Sequence, residues 1–239
     1  MQFHRTRSFS IFFGDSQHPY VPDLNKGFSV LARPPFNALS RTMNLRQLIF
    51  LRQVHGNAGK IITAKDTESI LPSFVHEGDY LITNVSRVGI GISTADCLPI
   101  IFYDAKHNAI GIAHAGWKGS VANIGLHIIE RMKQAYGTTI HDLQIFFGPS
   151  AQACCYEVKG DFLNNIQHFP YAEQLLRRTD NGLFFHLDTL NSLQLESLGI
   201  QKEAINRQYH VCTICNPSYC SVRRLQDSSL RQMTVVALN

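Results

Sequence analysis

The chain has 239 residues, of which 44% are hydrophobic, 17% charged and 10% aromatic, a profile that excludes disordered and fibrous proteins. Its 22 basic and 18 acidic residues leave a net charge of +4, scattered along the chain instead of gathered into a stripe, which argues against a nucleic-acid partner. No apolar run approaches the roughly 20 residues of a membrane span, and Ser8–Phe13 is too soon interrupted by Gly14-Asp15 for a signal peptide, so no membrane partner and a cytoplasmic location are expected.

Residues 1–44 read as an irregular N-terminal wrap, loosest at His18–Pro35, which holds four of the nine prolines. From there the runs Leu48–Val54, Gly59–Ala64, Tyr80–Thr83 and Val88–Ser93, β-branched or aromatic and separated by turn residues, predict strands. Leu98–Tyr103 and Ala109–His114, joined by the polar Asp104–Asn108, predict a hairpin with a longer loop. After Gly119 the period becomes helical, with Val121, Ile124, Ile128, Ile129 and Met132 on one face and Gly137 placed to end the helix. Leu143–Phe147 returns to strand, Asp161–His168 and Tyr171–Arg178 read as helices, and Leu183–His186 reads as a strand. Thr189–Leu198 reads as a helix closed by Gly199, and Met233–Leu238 as a final strand.

Strands outnumber helices and include an antiparallel hairpin, so the expected fold is α+β (mixed α/β), a single domain over 1–239 with mixed, largely antiparallel sheets flanked by helices. No glycine-rich phosphate loop follows a strand, since Gly89-x-Gly91 lacks the remaining glycine and the helix after it.

Three segments end or interrupt apolar strands with reactive groups: Gln53-Val54-His55-Gly56, Thr94-Ala95-Asp96-Cys97 and His114-Ala115-Gly116-Trp117. One thiolate and two imidazoles meeting at a point form a ligand set that suits zinc and, less often, copper, and three protein ligands leave a position open for water. A lone strand-end histidine is ordinarily a surface residue and a lone cysteine a small hydrophobe, so spacing alone leaves both readings open. The six cysteines are too few and too clustered for a disulfide framework. Cys155 reads as a packed core residue in preference to a second thiol near the metal, which would close the open position, and Cys212-x-x-Cys215 lacks the second pair of a zinc ribbon and reads as incidental.

Thr94-Ala95-Asp96-Cys97-Leu98-Pro99-Ile100, then Ala113-His114-Ala115-Gly116-Trp117-Lys118-Gly119, with Gln53-Val54-His55-Gly56 before them, resembles the YfiH/LACC family, once called polyphenol oxidoreductase laccases. Further matches are Gly78–Thr83, Gly148-Pro149, Cys155-Tyr156-Glu157-Val158, His186-Leu187-Asp188, Cys212-Thr213, Arg223-Arg224 and Arg231-Gln232. The chain departs from the family pattern at Asn37-Ala38, where an Asn-Arg pair is usual, and at Val222, where a tyrosine normally stands.

The resemblance implies a YfiH-like fold, similar to that of cytotoxic necrotizing factor toxins, and a zinc ion bound by His55, Cys97 and His114. It also implies phosphorolysis of adenosine, inosine and methylthioadenosine, and deamination of adenosine to inosine. The implied partners are a small-molecule nucleoside and phosphate, and the chain is expected to be a monomer or small homo-oligomer. The older laccase name implies copper, but no His-x-His pair occurs among the 11 histidines and one Cys with two His cannot assemble a multicopper cluster. Within these activities Asp96, beside Cys97, is the candidate proton shuttle or orienting group. Lys118 and Arg223 are candidates for holding phosphate, and Gln53 for bonding base or sugar. Two other enzyme readings stand beside these: a hydrolase with Cys97 as nucleophile and His114 as base, and a peptidoglycan-precursor editing hydrolase. A zinc-bearing binding module without turnover is the non-enzymatic one.

Overall fold

In chain order the elements of the computed structural model, which describes residues 1–20, 35–68, 73–226 and 229–239, begin with strands β1 (Gln2–Arg5) and β2 (Phe9–Phe13) and helix α1 (Phe36–Thr42). Strands β3 (Gln47–Phe50), β4 (Gly59–Ile62), β5 (Tyr80–Thr83), β6 (Val88–Thr94), β7 (Leu98–Asp104) and β8 (Ala109–Ala115) follow. Then come helices α2 (Trp117–Val121) and α3 (Ile124–Tyr136) and strands β9 (Leu143–Phe147), β10 (Glu157–Val158), β11 (Leu176–Thr179) and β12 (Gly182–Phe185). Helix α4 (Leu187–Ser197), β13 (Ile205–Asn206), α5 (Val222–Leu225) and β14 (Gln232–Leu238) complete the chain.

The strands form a five-stranded sheet in the order β1-β2-β14-β6-β3, a six-stranded sheet β13-β9-β7-β8-β5-β4 and a small sheet β10-β12-β11. β3 with β6, β4 with β5 and β9 with β13 run parallel, and the other pairings are antiparallel.

Alternation along the strands explains why the two large sheets stack. On β2, Phe9, Ile11 and Phe13 enter the core between the sheets, while Phe12 points the other way towards Phe36, Leu39 and Met43 around α1. On β7, Ile101 and Tyr103 face the five-stranded sheet, while Leu98, Ile100 and Phe102 face Ile128 and Met132 of α3 and Leu190 and Leu195 of α4. Both sheets are therefore covered on both faces, and their strands read as continuous apolar runs. Where the faces are tightest the chain uses glycine: a Cβ on Gly91 would lie 2.6 Å from the Phe50 ring, and one on Gly111 would lie 2.9 Å from Ile128 Cδ1.

Several expectations need correction. Residues 1–44 are not an irregular wrap throughout, because β1 and β2 pair as a hairpin whose inward phenylalanines fill the core, and Phe36 seats α1; residues 21–34 lie outside the described residues. The strand expected over Leu48–Val54 stops at Phe50, because the chain must turn for His55 to adopt a left-handed φ of 61°. Asp161–His168 and Tyr171–Arg178 are not α-helices but short 3-10 turns at Gly160–Asn165 and Ala172–Leu175, followed by β11. Leu175–Arg178 consists of good helix formers, yet Thr179 pairs with Gly182 across a two-residue Asp180-Asn181 turn and Leu176 pairs with Phe185, so tertiary pairing overrides propensity. The helix after Gly119 is two helices, broken by Asn123, whose left-handed backbone and side-chain bond to the Leu126 N–H cap α3.

The Leu98–Tyr103/Ala109–His114 hairpin is present as β7 and β8, paired from Leu98–Ala115 to Asp104–Ala109. The Asp104 carboxylate accepts the Lys106 and His107 N–H groups across the loop. Mixed, largely antiparallel sheets with flanking helices are the α+β architecture expected from the pattern of elements.

Candidate active site

The three reactive segments meet at one edge of the stacked sheets. His114 stands next to the end of strand β8, Cys97 in the tight connection between β6 and β7, and His55 in the loop after β3. Their Nδ1/Nε2 and Sγ atoms all lie within 4.8 Å of one another, and the two imidazole rings meet edge to face with centroids 4.8 Å apart. Two backbones beside the ligands are left-handed without glycine, His55 at φ 61° and Asp96 at φ 85°. Such conformations persist only when surrounding bonds over-determine them.

Asp79 supplies those bonds on one side. It is 1% exposed and precedes β5. Its carboxylate accepts the backbone N–H groups of His55 at 2.9 Å, Gly56 at 2.7 Å and Val54 at 3.3 Å, which fixes the loop that presents His55. Oδ1 also lies 2.8 Å from Nδ1 of His114, so the ring holds its proton there and leaves Nε2 for the triad. Burial pushes the Asp79 carboxyl up, yet the hydrogen bond and charge of His114 and the N–H groups of Gly56 and His55 hold it below the usual carboxylate range.

The same logic governs the thiol. Burial raises the Cys97 pKa, but the charge of His114 and hydrogen bonds from His114 and His55 outweigh it and bring the value to about 6. In return, burial lowers the His114 pKa while Cys97 and Asp79 raise it to about 9. Without a metal, Cys97 and His114 therefore form a thiolate–imidazolium pair at neutral pH, with Asp79 behind the histidine. With the imidazoles deprotonated, the same three atoms are two nitrogens and one sulfur that suit a borderline-soft divalent ion. The donor set fits a metal, and the exposed His55 leaves its outer side open.

A cavity of about 430 Å³ opens above the triad. Gln53, Asp96 and Arg223 line it with the triad, and so do Phe74, Trp117, Tyr156, Val222 and Arg231. Gln53 is held by Ser93, donating from Nε2 to the carbonyl at 2.8 Å and accepting the Ser93 N–H at 2.8 Å. Asp96 accepts from Thr213 Oγ1 at 2.7 Å and from the Arg223 backbone N–H at 2.8 Å, so it draws two C-terminal segments to the site. The Arg223 guanidinium lies over the Tyr156 ring at 4.9 Å and donates to the Glu157 carbonyl.

Lys118 does not line the cavity: it is exposed, with its ammonium 5.7 Å over the Trp117 ring. Ala38, where the family pattern has arginine, is exposed on α1 and does not line the cavity either. Val222, in place of the usual tyrosine, does line it. Sequence reasoning assigned no role to Asp79, Trp117, Tyr156 or Arg231. For Asp79 the available signal was an acid wedged between Gly78 and a wholly buried strand, and for Arg231 a cation immediately before β14.

A second group also assembles. Cys154, Cys155, Cys212 and Cys215 bring their sulfurs within 4.8 Å of one another, so Cys212-x-x-Cys215 does have a second pair, supplied from a distant loop, and Cys155 is not simply a packed core residue. Asp104, His107 and Asp142 make a third group among the described residues.

Known proteins resemble the chain along most of its length. It is 28% identical over 238 residues to a purine nucleoside phosphorylase, YlmD, of Bacillus subtilis, covering 94% of this chain and 85% of the relative. It is 33% identical over 202 residues to a purine nucleoside phosphorylase of Borreliella burgdorferi, covering 83% and 82%, and 29% identical over 209 residues to an adenosine deaminase, RL5, of an unknown prokaryote, covering 82% and 77%. The crystal structure of a Bacillus licheniformis hypothetical protein, YfiH, shares the fold with a TM-score of 0.80 at 22% identity over 99% of each chain. That of YlmD from Geobacillus stearothermophilus does so with a TM-score of 0.77 at 24% identity over 97% and 91%. A family model described as multi-copper polyphenol oxidoreductase laccase matches residues 15–239, and by that match the chain belongs to this family.

Proposed function

We propose that the chain is a zinc-dependent purine nucleoside enzyme that carries out phosphorolysis of adenosine, inosine and methylthioadenosine and deamination of adenosine to inosine. The observation that carries this reading is the composition of the cavity. Aromatic rings (Phe74, Trp117, Tyr156), two guanidinium groups (Arg223, Arg231) and the His55–Cys97–His114 triad share about 430 Å³, within the usual size range of a small-molecule site. The rings suit a purine, the cations suit phosphate, and the names of the similar proteins agree with both activities.

The family's name points to copper, but none of the three candidate metal-binding groups among the described residues contains more than two histidines, which favours a single zinc over a multicopper cluster. His55, Cys97 and His114 would hold the ion, and its chemistry there is that of a Lewis acid that makes water easier to deprotonate near neutral pH. Around it Asp79 keeps the His114 proton on Nδ1. Gln53 offers the cavity the amide N–H that Ser93 does not use. Arg223 and Arg231 are the anion-holding candidates within the cavity.

Asp96 positions Arg223 through the backbone bond. A proton-shuttle role for Asp96 predicts that Asp96→Asn loses turnover at unchanged metal content. The primary test is product chromatography after zinc-loaded protein meets adenosine with and without phosphate. Adenine that requires phosphate and inosine that does not are the expected products, and the absence of both would turn the reading towards cell-wall fragments or a binding module.

The thiolate–imidazolium pair backed by Asp79 favours a second reading, a hydrolase in which Cys97 attacks and His114 relays the proton. The two readings separate on one residue. In metal-stripped protein, alkylation of Cys97 by iodoacetamide is expected to rise with pH through about 6, as the thiolate forms, and zinc is expected to protect the residue. Cys97 that stays reactive in zinc-loaded, active protein would support the nucleophile instead.

A further inference from the structure

We infer that Cys154, Cys155, Cys212 and Cys215 form a second metal site, a tetrathiolate for one zinc ion that ties together two loops behind the wall of the cavity.

The geometry is that of a single tetrahedral ion. Zinc–sulfur bonds of about 2.3 Å place the sulfurs of a tetrahedron about 3.8 Å apart. Here Cys154 Sγ and Cys215 Sγ are 3.9 Å apart, all four sulfurs fall within 4.8 Å of one another, and no pair is bonded. Packing does not explain the cluster: only Cys212 is buried, and Cys154 and Cys215 are exposed, the opposite of what small hydrophobes seek. Four soft thiolates in this arrangement select zinc, with mononuclear iron as the chief competitor. Binding would release the thiol protons to solvent as the sulfurs become ligands.

The surroundings are those of an ordered ligand shell. Backbone amides of Cys215, Gln152 and Ile214 near Cys212 favour its thiolate form against the burial that disfavours it. The two loops are held side by side before any ion enters: the Ser150 N–H donates to the Val211 carbonyl at 3.1 Å and the Thr213 N–H to the Ser150 carbonyl at 3.0 Å. Arg177 donates to the carbonyls of Ala153 and Cys154, which sets a cation beside a cluster that would carry net negative charge once metallated.

Each loop also reaches the cavity. Thr213, between two of the cysteines, donates to Asp96, and Tyr156, next to Cys155, stacks under Arg223. An ion at this site would brace both walls without touching the triad.

The test uses the full chain carrying His55→Ala and His114→Ala, which removes the ligands at the triad and leaves the four cysteines. Metal quantification after exhaustive desalting and zinc-edge X-ray absorption are expected to find one zinc per chain in an all-sulfur shell at about 2.3 Å. That zinc is expected to disappear when Cys154→Ser and Cys215→Ser are added. Should those variants misfold, the unaltered protein decides: two zinc ions per chain with sulfur as the majority of ligands support the site. One zinc in a mixed nitrogen–sulfur shell, iron in place of zinc, or a disulfide among the four cysteines in a non-reduced digest would overturn it. None of these readouts depends on catalytic activity, so the result stands apart from the nucleoside reading.

Discussion

Asp79 is the residue on which the candidate site turns. One carboxylate orders the His55 loop through three backbone N–H groups and fixes the tautomer of His114, so its removal acts on two candidate ligands at once. Asp79→Asn keeps the shape and removes the charge, and a metal affinity lower by about 10–100-fold is expected, the usual effect of losing a carboxylate behind a histidine ligand. Competition with a chelator measures it. Because its carboxyl titrates below its unfolded value, Asp79 stabilises the fold above the ordinary carboxylate range, and that contribution fades as pH falls through the depressed value. Acid unfolding of the Asn variant should therefore show a shallower pH dependence than that of the unaltered chain. At this scale the sequence was partly legible. His55, Cys97 and His114 announce themselves because each interrupts an apolar run with a reactive group. Asp79 does not, because an acid before a strand has many ordinary uses and its partners lie 23 to 35 residues away.

Among the elements, α2 governs how closely the ligand loops approach. A Cβ on Gly119 would lie 2.6 Å from the Gly56 carbonyl, a backbone atom that cannot swing aside, and one on Gly116 would lie 3.1 Å from Cys97 Sγ and 3.2 Å from the His55 ring. The helix can therefore dock on the His55 loop only through glycine. Gly119→Ala is expected to destabilise the protein by about 1–3 kcal/mol, the cost of overpacking, and to weaken metal binding because the loop must move. Chemical denaturation and metal titration of one variant check both. The β7–β8 hairpin and the amphipathic face of α3 were legible because their periods are carried by residues adjacent in sequence. The β11–β12 hairpin was not: Leu175–Arg178 favours helix locally, and only pairing with Gly182–Phe185 makes part of it a strand. The four-cysteine cluster was hidden for a similar reason, since Cys154 and Cys215 are 61 positions apart and meet through the Ser150–Cys212 bridge.

For the molecule as a whole, β14 is the keystone of the five-stranded sheet. It pairs with β2 on one side, Thr234 to Phe13 through Leu238 to Phe9, and with β6 on the other, Gln232 to Thr94 through Val236 to Ile90. All seven of its residues are buried. Deleting residues 232–239 would remove the neighbour that β2 and β6 share, leaving β2 paired with β1 alone and β6 with β3 alone and both adjoining cores open, and the shortened chain is expected to lose its cooperative thermal transition in calorimetry. Composition and alternation made the α+β class and the mixed sheets legible. The order of strands was not, because no local feature says that residues 232–238 lie between residues 9–13 and residues 88–94.

That strand order has a consequence for how the protein is made. During synthesis, β2 and β6 emerge long before the strand that must lie between them, and they wait with unpaired edges and apolar faces in the interval. Asp96 waits too, since Thr213 and Arg223, which satisfy its carboxylate, lie in the same late-emerging stretch. The cavity can therefore close only after the stretch that carries Thr213, Arg223 and β14 has emerged, and the proposed metal site at His55, Cys97 and His114 would not be enclosed before then. A nascent chain stalled before β14 would be a client for chaperones and proteases, with its candidate metal ligands already synthesised but not yet enclosed.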